Sequence, residues 1–440
     1  MRVLILATTT GYQTRSFGEA AERLGIELVF ATDRCDKIDD PWRDQAIPIR
    51  FFDEAGSVSA IVDASNGKPL DGVLALGDRP TVIAAGVAQA LGLPGNPPEA
   101  AALARNKQLL RVRLRDSGLP APWFFATSIG HQPSAISPQP SSYPCVIKPV
   151  ALSGSRGVIR ADDASTFEAA FERVRALLQS IEIRAERNDA NETILVEEFV
   201  SGREYAVEAV LHHGVLQLLA MFDKPDPLDG PFFEETIYVT PSRASTETQD
   251  AIVGAIAGAV RAIGLEHGPI HAECRVNERG VFVLEVAARP IGGLCARSLR
   301  FRSADGDRLS AVSSRIISLE ELLLRHALGE EPTKYEREAL ASGVMMIPIP
   351  RRGVFRGVDG IDAARAVAGV DDVRVTAKAD QLLVPLPEGA SYLGFIFAHD
   401  DTPAGVERAL RAAHARLTFA IDPELPVLMA AQTRYNPDYG

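Results

Sequence analysis

The stretch that most constrains this chain is HAECRVNERGVFVLEV, residues 271 to 286, where two apolar-rich runs flank a polar segment ending in glycine. The pattern specifies an antiparallel hairpin. A three-residue turn of Glu278, Arg279 and Gly280, with the glycine in the left-handed position, makes Asn277 face Val281 and sets Glu273 directly opposite Glu285. Like charges so placed destabilise a sheet, so the arrangement makes sense if a divalent cation bridges them. A donor set made only of oxygen selects magnesium or manganese over zinc. In another register the two glutamates are merely solvated acids on an exposed face.

Arg289 follows four residues after Glu285, in AARPIGG. Beside a metal and a phosphate it would make bidentate contacts to a phosphoryl or carboxylate group, and Gly292 and Gly293 allow close backbone approach to a substrate. The plainer reading is a surface arginine before a proline turn. Upstream, PCVIKPVALSGSRGV (144 to 158) sets Lys148 in a β-branched run. An ammonium stripped of water there needs an anion unless its pKa falls. The loop that follows offers an anion site, because Gly154 and Gly157 let successive backbone N–H groups converge on an oxyanion. A snorkelling lysine and an ordinary turn fit this piece equally well.

Support comes from ILVEEFVSGREYAVE (194 to 208), an apolar strand running into two glutamates and an extended FV pair. Its free backbone groups could meet a purine edge as a new strand would. Glu197 could accept from an exocyclic amine, and Glu204, seven residues on, could hold ribose hydroxyls. Solvent-facing acids at a strand end are the rival reading.

The remaining signals bound the answer. A chain of 440 residues with 46% hydrophobic composition can fill two or three domains. A net charge of −12 argues against nucleic acid or an acidic membrane as partner. Cys35, Cys145, Cys274 and Cys295 are scattered without CxxC spacing, which suggests packing rather than zinc or disulfides. MRVLILATTTGYQTR has too short an apolar run for a secretory leader, and no window approaches 18 apolar residues, so a cytoplasmic protein is expected.

RVLIL, then SFGEAAERLGIELVFAT, then GVLALG and PTVIAAGVAQALG read as a small doubly wound α/β domain, without the GxGxxG of a dinucleotide site. NPPEAAALARNKQLLRVRLRDSGLPAPWF (96 to 124) reads as one long connector helix, and SIGHQPSAISPQPSSYP (128 to 144) as a surface loop. A separate α+β lobe is expected from about residue 335. In MFDKPDPLDGPFFEETIYVTPS (221 to 242), Glu234 or Glu235 could pair with a substrate ammonium, or the segment is a solvated acidic loop.

In this order, Lys107 of the connector, VIKP, the glycine loop, EEFVSGRE and the two-glutamate hairpin ending in ARPIGG resemble the ATP-grasp superfamily. The ARPIGG turn and the last hundred residues look like its L-amino acid ligase group of carboxylate–amine ligases. The resemblance implies a fold mixing α/β and α+β units: a Rossmann-like pre-ATP-grasp domain (1 to 105), an ATP-grasp domain (106 to 334) with a lid at about 120 to 195, and a C-terminal α+β lobe (335 to 440). It implies that Lys107 and Lys148 contact ATP phosphates under a mobile lid formed by Ser153, Gly154, Ser155 and Gly157. Glu197, Glu198, Phe199 and Val200 would hold adenine, Glu204 the ribose, Glu273 and Glu285 magnesium or manganese, and Arg289 an acyl phosphate. Small carboxylate and amine substrates, such as amino acids, are implied, and a homodimer is allowed. Ala287 stands where family members often carry an asparagine ligand, which puts a second metal in doubt. A carboxylase or kinase-like enzyme and a non-enzymatic ATP-binding scaffold are the rival functions.

Overall fold

The computed structural model describes residues 1–8, 12–33, 46–132, 139–303 and 316–424. Cys35 and part of the serine- and proline-rich loop lie outside the described residues. The other three cysteines are free and buried.

The first domain is a parallel sheet in the order Ile47–Pro48, Glu27–Thr32, Arg2–Ala7, Gly72–Leu76. Val3, Leu4, Ile5 and Leu6 are all buried without exposure, because the strand is covered on both faces and its apolar run is therefore unbroken. The helices Tyr12–Leu24, Glu54–Ala64 and Thr81–Leu91 accompany it.

The connector departs from the expected single helix. It is two helices, Pro98–Arg105 and Lys107–Asp116, parted at Asn106. Asn106 is extended, with φ −109° and ψ 109°, and its side chain accepts a hydrogen bond from the Leu109 N–H at 3.1 Å. Asparagine is a strong N-cap, so the sequence restarts the helix here and sets Lys107 at its first position.

Next comes an antiparallel four-stranded sheet, ordered Phe124–Ser128, Thr193–Glu198, Cys145–Pro149, Ile159–Ala161. The helix Ala164–Leu178 packs Phe167, Phe171 and Val174 against it. Its start is fixed by a reciprocal cap between Asp163 and Thr166.

The largest unit is an eight-stranded antiparallel sheet. Its order is Gly280–Ala287, Gly268–Asn277, Arg203–His212, Val215–Asp223, Ile237–Thr240, Ala341–Ile347, Gly394–Asp400, Val370–Val375. Three of those strands come from the segment read as a separate lobe. Ile237 to Thr240 pair with Met345 to Ser342 residue for residue, so the sheet runs unbroken past residue 335. The helix Pro403–His414 covers this end, and a small sheet of Leu382–Leu383, Gly353–Asp359 and Thr418–Asp422 flanks it.

Candidate active site

The 271–287 hairpin has the expected pair, reached by a different route. Its turn has two residues, Glu278 and Arg279, and Asn277 pairs with Gly280 instead of Val281. Left alone, that register would misalign the glutamates. A one-residue bulge at Leu284 corrects it, so that Cys274 faces Val283 and Glu273 faces Glu285. The bulge also frees carbonyls. Arg111, fully buried, donates to Val283 O at 3.2 Å and to Leu284 O at 3.0 Å.

The same guanidinium reaches Glu197, with Nε to Oε2 at 2.8 Å and a second contact to Oε1 at 3.3 Å. Lys148 Nζ donates to Glu197 Oε1 at 2.5 Å. The Glu197 carboxylate is therefore committed to two cations, which leaves few lone pairs for the adenine amine that the sequence suggests. Lys148, for its part, already has a protein anion. Burial pushes the Lys148 ammonium down to about 8 although Glu197 pulls it up. Burial would raise Glu197, but Arg111 and Lys148 more than offset this and hold it at about 2. Glu198 pairs with Arg279 at 2.8 Å, and the Arg160 and Arg275 guanidiniums both lie over the Phe199 ring, 4.4 and 5.0 Å from its centroid.

Every candidate site residue singled out from the sequence lines one cavity of about 690 Å³, except Gly157 and Glu234. Gly157 has φ 74°, and a Cβ there would come within 2.8 Å of Pro149. Its N–H donates to Pro387 O at 2.8 Å and so cannot serve an oxyanion. Ser153, Gly154 and Ser155 do face the cavity, with Gly154 at φ 65° and Ser155 at φ 55°. The glycine loop is docked on the C-terminal segment: Arg156 Nε donates to Glu388 O at 2.7 Å, and Arg173 grips the Glu388 carboxylate with two bonds.

Lys107 Nζ donates to Leu152 O at 2.6 Å and lies 3.6 Å from Glu285. Arg289 is paired, with Nε to Asp78 Oδ1 at 2.9 Å. Burial opposes charge on both partners of that pair, yet each side holds the other ionised.

Buried behind three acids of the cavity wall is a residue the sequence did not flag. Lys224 Nζ contacts Glu204 at 2.8 Å, Glu273 at 2.9 Å, and Glu235. Burial would lower its pKa, but the three carboxylates raise it well above the ordinary lysine value. Arg275 Nε takes the other Glu204 oxygen at 2.8 Å, so a ribose would meet only the remaining lone pairs. Burial and the nearby Glu273 push Glu235 up to about 7, whereas Glu234 is not part of the cavity wall. Glu273, which burial alone would raise, is held well below the usual carboxylate range by Lys224 and His271. His271 lies between Glu208 and Glu273. Burial would lower it, but its hydrogen bonds to the two carboxylates raise it to about 9. Glu208 in turn accepts from the Ile291 N–H of the PIGG turn at 3.1 Å.

Three family models match in the same order as the domains: the ATP-grasp N-terminal domain over residues 18–95, the ATP-grasp domain over 141–298, and the L-amino acid ligase C-terminal domain 2 over 345–422. The crystal structure of an L-amino acid ligase from Bacillus licheniformis superposes with a TM-score of 0.78 at 28% identity, covering 96% of this chain and 99% of that one. The chain is an ATP-grasp protein resembling the L-amino acid ligases. Among curated relatives of this ATP-grasp protein, alanine–anticapsin ligase of Bacillus subtilis is 29% identical over 218 residues, 46% of this chain and 44% of that protein. Carnosine synthase 1 of Gallus gallus is 30% identical over 309 residues, 67% of this chain and 31% of that protein. The chain thus spans less than half the length of either ligase.

Sequence reasoning missed Asp78, Arg111, Lys224 and His271. Arg111 read as one of several arginines on a helix face, although it is the only one of Arg111, Arg113 and Arg115 that is buried. Nothing in its immediate sequence separates it from the others.

Proposed function

We propose that this protein joins a carboxylate to an amine, with amino acids as the substrate class, at the expense of ATP and through an acyl phosphate. The observation that carries this reading is the convergence of Lys107, Lys148 and Arg289 from three separate segments on the cavity that also holds Glu273 and Glu285. A carboxylate oxygen attacks the γ-phosphorus and releases ADP. The amine then attacks the acyl carbon and expels phosphate. The protein's share of such a transfer is position and charge: cations fixed in a water-poor cavity offset negative charge as it spreads over the transferring group.

Lys148, Arg289 and the more deeply buried Lys224 are each held by carboxylates that are not the substrate. Glu197 aims Lys148, Asp78 orients Arg289, and Glu204, Glu235 and Glu273 surround Lys224. The glycine loop, docked on residues 387 and 388, screens the cavity from water that would hydrolyse an acyl phosphate. Glu235, rather than Glu234, is the acid positioned to meet a substrate ammonium.

Magnesium suits the donors present, which are carboxylate oxygens of Glu273 and Glu285 on facing strands. When bound it would neutralise phosphate charge and polarise the transferring group. Glu285, partly exposed and only loosely paired with Lys107, is the freer of the two.

The test is a panel of amino acids with ATP, with hydroxylamine in place of the amine. An acyl hydroxamate should form in step with ADP and phosphate. AMP as the nucleotide product would overturn the acyl-phosphate route, and ATP binding without turnover across a broad panel would favour a scaffold.

A further inference from the structure

The strand Arg203–His212 carries Glu204 at the candidate active site and His212 eight residues later, about 26 Å away at the usual rise of a strand. At that far end half of the chain's eight histidines gather. His212 ends that strand and His213 follows in the hairpin turn, His267 comes from the loop entering the strand Gly268–Asn277, and His326 from the helix Leu319–Ala327. The His267 and His326 rings stack with centroids 4.3 Å apart, and His212 lies edge-on to His326 at 5.4 Å.

A hydrophobic ring stack does not account for the nitrogens. His267 is 6% exposed and His326 is 1% exposed, yet both ring nitrogens of His267 and Nδ1 of His326 have no hydrogen-bond partner. His326 Nε2 meets only His212 Nδ1, at 3.3 Å. Burial and the neighbouring imidazoles push His267 down to about 4 and His326 to about 3, so both are neutral with lone pairs available at physiological pH.

We propose that His212, His267 and His326 form a binding site for one divalent transition-metal ion of the zinc class. One ligand nitrogen from each of the three lies within 4.8 Å of the others. Two nitrogens about 2.0–2.1 Å from a tetrahedral zinc stand about 3.3 Å apart, which is the separation of His212 Nδ1 and His326 Nε2. Imidazole donors suit zinc, copper and nickel rather than magnesium. The fourth position opens on the exposed side, where His213 lies 4.5 Å from His212 in ring centroids, and takes water or that imidazole. The ion would be structural. It would fasten the hairpin turn and the 264–268 loop to the helix Leu319–Ala327, which itself packs on Tyr12–Leu24 of the first domain.

The test uses the full chain without a histidine tag, stripped with chelator and titrated with zinc, with cobalt as a spectroscopic stand-in. One equivalent of zinc should bind, raise the melting temperature, and with cobalt give the visible absorption of a tetrahedral nitrogen site. His267→Gln should weaken zinc at least about a hundredfold and abolish the cobalt band. His212→Gln, at a half-buried position, gives the same reading if the first variant does not fold. Glu285→Gln should leave zinc binding unchanged. Absence of a stoichiometric zinc site, or binding that survives both histidine substitutions, would overturn the proposal. So would zinc binding lost with Glu285→Gln, since the ion would then belong to the ATP cavity.

Discussion

Two polar clusters sit at opposite ends of one strand, and they solve burial in opposite ways. Around Glu204, carboxylates and cations are cross-paired until little is left open: Lys224 has three acids, Glu197 two cations and Arg289 an aspartate. Around His212, buried nitrogens stand without partners. A buried polar group left unsatisfied costs about 1–3 kcal/mol, a cost that the proposed ion would remove from the second cluster. The first is complete as a protein, and under the proposed function a phosphate would enter among charges already held in place. The comparison separates preorganised groups, which substitution unbalances, from groups that only a ligand would balance.

The largest break in that comparison is Lys224→Ala. It leaves Glu204 with Arg275 and Glu273 with His271 and Tyr238, but it strips Glu235 of its cation. Removing one partner of a buried charge cluster costs about 3–5 kcal/mol, and the denaturant midpoint should fall accordingly, with activity lost. An unmoved midpoint would mean the three acids do not depend on the lysine. Glu285→Gln should do the reverse, lowering turnover about a hundredfold with little rescue by excess magnesium while the midpoint holds. Activity near that of the unaltered protein would remove Glu285 from the chemistry.

Lys148→Ala should weaken ATP binding and lower turnover at least about tenfold. The fold should survive because Glu197 keeps Arg111, and unchanged ATP affinity in calorimetry would count against the role. A finer probe is pH. Burial holds the free Lys148 at about 8, and phosphate needs its charged form. Affinity should therefore be full below that value and decline toward tenfold per unit as pH rises past it. A flat binding profile across about pH 7 to 9, or the same decline in Lys148→Arg, would assign the titration elsewhere. The smallest effect is expected from Arg173→Ala, which unties a partly exposed pair with Glu388 worth about 0.2–1 kcal/mol. The KM for ATP should rise less than about fivefold with kcat unmoved, and a larger change would make the loop contact more than a weak latch.

The domain order and the two-glutamate hairpin were legible because they rest on periodicity and on residue types at short spacing. Glu273 opposite Glu285 was reached through the wrong turn, since a bulge at Leu284 leaves no mark in an apolar run. The break at Asn106 was legible in principle as a capping residue inside a helical pattern, and was read through. Arg111, Asp78 and Lys224 were not legible, because each owes its role to a partner 86, 211 or 49 residues away. The same holds for the histidines, which lie in three distant segments.

The continuous central sheet bears on how the chain is made. Five of its strands precede residue 335 and three follow it, and Ile237–Thr240 waits for Ala341–Ile347, about a hundred residues later, to be paired. During synthesis that strand, with Ile237 and Val239 destined for full burial, is a bare apolar edge until the last quarter of the polypeptide emerges. Such edges recruit other chains. A product cut near residue 335 would keep that edge permanently, so the shortest well-behaved fragment has to run to the end of Gly394–Asp400 or beyond.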